Sequence, residues 1–174
     1  SWELALFRDR LAGALAAGRA NGCRLEVCAP RRLSLPGDVE QFSQEGRGFG
    51  ERLRRALAHR QPAAERPLVV VGSDAPGLAP AHVATALERL AEQPDRLVVG
   101  PSPDGGFYLL AAARPVDELL AEVRWLRTDT LASLIVAARA RGIEVSLLEQ
   151  LSYQSSFSPF LPTERSHQHC VREI

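Results

Sequence analysis

Two aspartates stand directly after short apolar runs, in "VVVGSDAP" at residues 69–76 and in "VVGPSPDGGFYLL" at residues 98–110. Each run is typical of a strand that is buried on both faces of a sheet. In open α/β sheets, ligands bind beyond the carboxyl ends of the strands, which is where Asp74 and Asp104 fall. Carboxylate oxygens at such ends bind Mg²⁺ or Mn²⁺, and the cation in turn neutralises a diphosphate.

A purely structural interpretation fits each aspartate about as well. An aspartate that precedes a helix, as Asp74 does, often serves as an N-cap or a turn former. The pair Asp104-Gly105 is an ordinary turn dipeptide. Against this, the consecutive glycines Gly105 and Gly106 allow a ligand to approach the backbone closely. From the residues alone, both interpretations stay open.

Several other chemistries lack the residues that they need. A hydrolase nucleophile elbow requires Gly-x-Ser-x-Gly, and "VGSDA" around Ser73 lacks the second glycine. A phosphate-accepting aspartate normally uses a nearby lysine, and all 21 basic residues of this chain are arginine. The segment "GRGFGERL" at residues 46–53 matches neither the Gly-x-Gly-x-x-Gly pattern nor the Walker pattern, and it does not follow a predicted strand.

The elements that position these residues alternate between helix and strand, which predicts a layered α/β fold with a mainly parallel sheet and helices on both faces. Helices are predicted at residues 3–20, 51–58, 81–92 and 116–123. A further helix is predicted to begin after a cap at Thr128 or Asp129 and to end at about residue 141. Strands are predicted at residues 24–30, 67–72, 96–100, 106–112 and 143–148, and residues 30–50 are interpreted as a long connection.

Composition places few limits on function. The 174 residues are 45% hydrophobic with 21 acidic and 21 basic side chains, so neither nucleic acid nor an anionic membrane is indicated as a partner. No apolar run approaches the roughly 20 residues of a membrane-spanning helix, and no signal-peptide pattern is present. The three cysteines are too few for a disulfide framework, and a cytoplasmic location is expected.

The two ends of the chain carry separate expectations. Because the sequence contains no methionine and opens directly into a helical pattern, we expect the native start to lie upstream of Ser1. Residues 1–150 are predicted to form one domain. Residues 151–174 show no sustained period and are interpreted as an irregular tail that wraps the domain or is partly disordered.

Four segments together resemble a bacterial family of GT-A-like nucleotide-diphospho-sugar transferases of the selenodomain-associated transferase 1 type, also known as domain of unknown function 2064. These segments are "QEGRGFGERLRRAL", "VVVGSDAPGL", "VVGPSPDGGFYLL" and "VRWLRTDTLASLIVAARARGIEVSLL". Their order and spacing agree with the family pattern over residues 4–148. The element Gly-Pro-x-x-Asp-Gly-Gly-Phe-Tyr-Leu is the most specific of them.

The resemblance implies a three-layer α/β/α, Rossmann-like GT-A fold whose first strand precedes the residues given. It implies a glycosyltransferase or nucleotidyltransferase that takes a nucleotide sugar or nucleotide donor with Mg²⁺ or Mn²⁺, and an acceptor of unknown identity. The metal ligand would be Asp74. Asp104 would be a catalytic group near the acceptor, and general-base catalysis is one hypothesis for its role. The residues implied in donor or acceptor binding are Gly50, Glu51, Arg52, Gly72, Ser73, Pro76, Gly105, Gly106 and Trp125, with Gln44 in the same motif.

Two departures from the family pattern support a rival hypothesis. The family's Lys-Thr-Arg loop would precede the residues given, and "LLEQLSYQSSFSPF" stands where the family carries further aspartates. The rival is a degenerate, inactive member that keeps the fold as a binding or interaction module. For Arg52, a solvated helix-face cation is as good an interpretation as a phosphate ligand, and for Trp125 the alternative is a core position. Oligomerisation is compatible with either hypothesis, and the sequence identifies neither the donor base nor the sugar.

Overall fold

Helices and strands alternate along the chain, as the sequence pattern predicts. The structure is a computed structural model that describes residues 2–60, 62–63, 65–72, 75 and 77–151, without the side chains of residues 2–8 and 59. The helices are α1 (Trp2–Ala20), α2 (Phe49–Arg60), α3 (Pro80–Glu92), α4 (Asp117–Ala121) and α5 (Thr130–Ala140). The strands are β1 (Leu25–Ala29), β2 (Val39–Ser43), β3 (Leu68–Val71), β4 (Leu97–Pro101), β5 (Phe107–Ala112) and β6 (Val145–Leu147).

The larger sheet has four strands in the order β3-β5-β4-β6. Strands β4 and β6 are parallel, whereas β5 is antiparallel to both of its neighbours, so β3, β4 and β6 share one direction. The mainly parallel α/β prediction is thus confirmed with β5 as the exception. Strands β4 and β5 form a hairpin, with Pro101 paired to Phe107, and the loop of that hairpin carries Asp104.

The core confirms the predicted three layers. On one face of the larger sheet, Leu97 and Val99 of β4 pack in a buried cluster with residues of α2, α4 and α5. On the opposite face, Val98 of β4 packs in a second cluster with Ala86 and Leu90 of α3. Alternate side chains of one strand therefore enter two different cores, which explains why β4 is apolar at every position.

The second sheet contains β1 and β2, which pair in parallel from Leu25 opposite Val39 to Ala29 opposite Ser43. Strand β2 lies inside the segment that we interpreted as a connection, so that part of the prediction was wrong. Its residues "VEQFS" are half-buried or exposed and include polar side chains, a weaker signal than the continuous apolar runs of β3 and β4. An apolar cavity of ≈ 190 Å³ lies between β1 and β3 and is also lined by α1 and α2.

The helices in the described part of the chain include none that combines the length and apolarity needed to cross a membrane. All of the predicted tail of residues 151–174 except Leu151 lies outside the described residues, as do Ser73, Asp74 and Pro76.

Candidate functional site

The segment after β3 is anchored to the start of β5. The backbone N–H of Gly72 donates to the carbonyl of Tyr108 at 3.0 Å, and the N–H of Ala75 donates to the carbonyl of Gly72 at 3.3 Å. Ala75 is buried in the cluster that contains Tyr108. Gly72 and Ala75 are therefore fixed at the carboxyl end of β3, whereas the predicted site residues Ser73, Asp74 and Pro76 lie outside the described residues.

Asp104 shapes the turn in which it lies. One of its carboxylate oxygens, Oδ1, accepts a hydrogen bond from the hydroxyl of Ser102 at 2.5 Å and another from the backbone N–H of Gly106 at 3.1 Å. The turn is closed by backbone bonds from the N–H of Ser102 to the carbonyl of Gly106 and from the N–H of Gly105 to the carbonyl of Ser102. The turn-forming interpretation of Asp104 is thus confirmed, and the exposed carboxylate is held at the carboxyl end of β4.

Gly105 occupies a position that admits no side chain. Its φ of 83° is in the left-handed region, and a Cβ atom built on it would lie 1.8 Å from the carbonyl oxygen of Thr128. Its own carbonyl accepts a hydrogen bond from the N–H of Leu131, in the first turn of α5, at 2.9 Å. The Asp104 turn is therefore fixed against the segment that leads into α5.

Trp125 connects this region to the start of α2. Its ring lies 5.2 Å from that of Phe49 and 6.0 Å from that of Phe107, measured between centroids, and its Nε1 donates to the carbonyl of Leu120 at 3.2 Å. A Cβ atom on Gly50 would lie 2.2 Å from the indole, so the backbone of α2 approaches the ring directly. Half-buried Trp125 thus has a packing role, and a role as a pocket wall stays a prediction.

Glu51 stabilises the loop that leads into α2. Its carboxylate accepts the backbone N–H of Arg47 at 2.9 Å and pairs with Arg55 at 2.7 Å. The Arg47 N–H, followed by the charges of these arginines, lowers the pKa of the Glu51 carboxyl. Glu51 is therefore engaged in holding the loop that contains the predicted Gly-Glu-Arg element.

Arg52 and Gln44 approach the carboxyl end of β1. The side-chain amide of Gln44 donates to the carbonyl of Cys28 at 3.2 Å. Burial raises the pKa of the Cys28 thiol to about 11, and the charges of Arg60 and Arg52 offset part of that rise. The Nε atom of Arg52 is buried, and no group in the described part of the chain accepts its hydrogen. A buried guanidinium nitrogen without an acceptor has capacity for an anionic oxygen.

The contacts bring together most of the predicted residues that are described. Gly72, Asp104, Gly105 and Gly106 lie where β3 and β4 end and β5 begins, and Gly50 reaches them through Trp125 and Phe107. Phe107, Tyr108 and Thr128 are among the additional residues in these contacts. All three are in the segments that resemble the family, but their contacts depend on how distant segments meet.

The described side chains alone do not fit a complete metal site. Among them, no group of three or more His, Cys, Asp or Glu residues could hold a cation. Mg²⁺ prefers six oxygen ligands and usually takes only one or two from protein carboxylates. The proposed ligand Asp74 lies outside the described residues.

Comparison with known families gives a match over residues 7–127 to a family described as an uncharacterized protein conserved in bacteria, domain of unknown function 2064. The chain belongs to this family. The match includes the Gly-Glu-Arg element, both aspartate loops and Trp125. No curated protein matches the chain.

A solved structure supports the same fold. A crystal structure from Desulfovibrio desulfuricans G20, of a protein with the provisional designation nucleotide-diphospho-sugar transferase, superposes with a TM-score of 0.70. The two chains share 24% identity, and the match covers 84% of this chain and 67% of the other. At this identity the likeness shows the fold, and the α/β class deduced from the sequence is confirmed.

Proposed function

We propose that this protein transfers a glycosyl or nucleotidyl group from a nucleoside-diphosphate-type donor to an acceptor that binds beside the Asp104 turn. The observation that carries the proposal is the convergence of the loops after β3 and β4 with the start of α2. Family membership and the fold of the Desulfovibrio protein are in accord with it. Ligands in such sheets bind at this end of the strands.

The donor would lie between the loop after β3 and the start of α2. Arg52 offers a buried guanidinium nitrogen without a described acceptor, which suits a phosphate oxygen. Gly72 leaves the backbone open to a ligand at the end of β3. A divalent cation on Asp74, when bound, would neutralise the charge that develops on the departing phosphate.

The acceptor would lie at the Asp104 turn. The hydrogen bonds from Ser102 and Gly106 fix the direction of the Asp104 carboxylate before the acceptor binds. Acceptor binding would therefore carry no further entropy cost for ordering this side chain. We propose that the carboxylate accepts a hydrogen bond from the attacking hydroxyl, orienting it and receiving its proton. Gly105 packs against Thr128, so its part in acceptor binding would be to hold the Asp104 turn in place.

The donor half of the proposal is tested by calorimetric titration with nucleoside diphosphates and nucleotide sugars, with and without Mn²⁺. We expect metal-dependent binding by the parent protein and a loss of about tenfold or more in affinity in Asp74→Ala. Asp95→Ala is the matched control. Asp95 is an exposed aspartate that precedes β4, so it lies at the end of that strand opposite to the proposed site. Equal binding by Asp74→Ala and the parent would contradict the metal-ligand role.

Turnover separates the transferase from the inactive binding module. Release of the leaving group is followed in the parent and in Asp104→Asn: the nucleoside diphosphate for glycosyl transfer, or the remaining phosphate-bearing part of the donor for nucleotidyl transfer. We expect Asp104→Asn to keep donor affinity and to lose about 100-fold in rate, within the range for general-base catalysis. Metal-dependent donor binding without release of either leaving group in the presence of candidate acceptors would favour the binding module.

A further inference from the structure

Two exposed arginines converge on one carboxylate just before α5. The guanidinium of Arg124 lies 2.8 Å from Oδ2 of Asp129, and Nε of Arg127 lies 3.3 Å from Oδ1 of the same residue. The two arginines carry ten N–H donors, and a carboxylate has about four acceptor positions. The cluster of Arg124, Arg127 and Asp129 therefore keeps a net positive charge and an excess of donors.

Asp129 holds the arginines and does not cap the helix. It occupies the N-cap position of α5, where an aspartate usually accepts a backbone N–H of the first turn, yet its side chain makes no capping hydrogen bond. The sequence prediction that Thr128 or Asp129 caps this helix is thus right about the position of Asp129 and wrong about its side chain. Exposed ion pairs of this kind contribute little to stability.

Buried hydroxyl groups hold the loop that presents the arginines. The Thr130 hydroxyl lies 2.8 Å from the carbonyl oxygens of both Arg124 and Arg127 and accepts the N–H of Arg127 at 3.1 Å. The Ser133 hydroxyl accepts the N–H of Arg124 at 3.0 Å. Both backbone attachment points of the arginines are consequently fixed by the start of α5.

The same loop contains a strained and exposed residue. Leu126 has a φ of 57° and is 64% exposed, although leucine rarely adopts the left-handed conformation. Strain of this kind is concentrated at ligand-binding loops, where the surrounding structure maintains it. The neighbouring Thr128 is the residue whose carbonyl contacts Gly105, so the loop stands directly beside the Asp104 turn.

We propose that Arg124 and Arg127 bind an anionic group of the acceptor, a phosphate or a carboxylate, while Asp129 keeps the two guanidinium groups oriented. The identification of the ligand as the acceptor rests on the function proposed above. The anion takes up the N–H donors that Asp129 leaves unfilled, and bidentate pairing with a guanidinium favours planar or tetrahedral oxyanions. The acceptor class is then an anionic molecule with a free hydroxyl group.

The experiment uses three small probes with a common three-carbon skeleton: glycerol, which is uncharged, glycerate, which carries a carboxylate, and glycerol 3-phosphate, which carries a phosphate. Each is titrated into isotope-labelled protein at fixed low ionic strength, without donor or metal, while the Nε–H signals of the arginines are followed by NMR. We expect the Arg124 and Arg127 signals to shift with an anionic probe and not with glycerol. The anion that binds more tightly identifies the group as phosphate or carboxylate.

Matched variants test whether the shifts report a site. Arg124→Gln combined with Arg127→Gln should weaken binding of the anion by about tenfold or more, since each charge-assisted hydrogen bond is strong. Replacement of both by lysine should restore part of the affinity and shows that the loop still folds. Arg114→Gln is the control, because Arg114 is similarly exposed and pairs with Asp95, at the end of the strands opposite to the site.

The results separate this proposal from the proposed function. An absence of shifts at Arg124 and Arg127, or equal weakening in Arg114→Gln, would overturn the anion site even if nucleotide donors bind. Anion binding that is weaker in the double glutamine variant than in the parent, followed in both on the backbone N–H signals of the loop, would support the site even if no nucleotide donor binds, and the transferase proposal would then fail by itself.

Discussion

Gly105 should be far more sensitive to alanine than another glycine with nearly the same backbone conformation. Gly105 has a φ of 83° and Gly142, which follows α5, has a φ of 69°. A Cβ atom on Gly142 would meet no described atom within 4 Å, whereas one on Gly105 would lie 1.8 Å from the Thr128 carbonyl oxygen. The pair Gly105→Ala and Gly142→Ala therefore separates steric overlap from backbone strain.

The size of the effect follows from these contacts. The left-handed conformation costs an alanine about 1–2 kcal/mol. Alanine also lowers the entropy of the unfolded chain, which offsets about 0.4–1 kcal/mol of that cost. Both terms apply to both glycines, so they cancel when the two variants are compared. At Gly105 the overlap adds about 1–3 kcal/mol, as in an overpacked core, and about 1 kcal/mol if the hydrogen bond from Leu131 is lost. We therefore expect Gly105→Ala to lower the free energy of unfolding by about 1–4 kcal/mol more than Gly142→Ala.

Equilibrium unfolding in urea, followed by circular dichroism, measures the difference. Equal dependence of the free energy on urea in all three proteins would show that the denatured states are comparable. If the two variants differ by less than about 0.5 kcal/mol, the size of a typical surface effect, then the contact between Gly105 and Thr128 does not hold the Asp104 turn.

Three further predictions concern the start of α2 and its surroundings. Gly50→Ala should destabilise the parent by about 1–3 kcal/mol through overlap with the indole of Trp125. In Trp125→Ala the same change should be neutral or stabilising, because alanine is favoured over glycine in helices by up to ~1 kcal/mol. Iodoacetamide should modify Cys28 at a rate that rises about tenfold per pH unit until about pH 11, since only the thiolate reacts. Glu51→Gln should lower stability at pH 7 and have progressively less effect below pH 4.5, because the lowered pKa of Glu51 stabilises the fold only while the group is ionised.

Each of these has a measurement that can contradict it. A double-mutant cycle in urea would show equal costs of Gly50→Ala in both backgrounds if the glycine and the indole do not interact. Peptide mapping by mass spectrometry would show Cys28 modified near pH 8 as fast as in urea if the thiol were not buried. Unfolding curves at pH 7 and pH 3 would show the same effect of Glu51→Gln if its carboxylate made no specific bond.

The strand ends could be predicted because their signals are local. Continuous β-branched runs that stop at small residues marked β3 and β4, and the observed strands begin and end within two residues of the predicted bounds. The reversed direction of β5 was not foreseen, although the pair Asp104-Gly105 between two apolar runs is a hairpin signal. Strand β2 was missed because it carries only two large apolar residues, Val39 and Phe42, among polar ones.

The contacts of the site could not be predicted, because they join segments that are distant in sequence. The need for glycine at residue 50 arises from an indole 75 positions later in the chain. The engagement of Asp129 with two arginines depends on the path of the loop through Leu126, whose left-handed conformation is rare for leucine. A sequence pattern indicates which residue types are present, and packing decides which of them meet.

The loop before α5 contacts both halves of the proposed site, and this has a mechanistic consequence. Trp125 packs against the start of α2, where the donor would bind, and Thr128 packs against Gly105 in the acceptor turn. Trp125 and Thr128 are only three positions apart in the chain, and buried Thr130 fixes the backbone of that short segment. A displacement of α2 on donor binding would therefore be transmitted to the Asp104 turn through rigid contacts, so donor and acceptor affinities should be coupled.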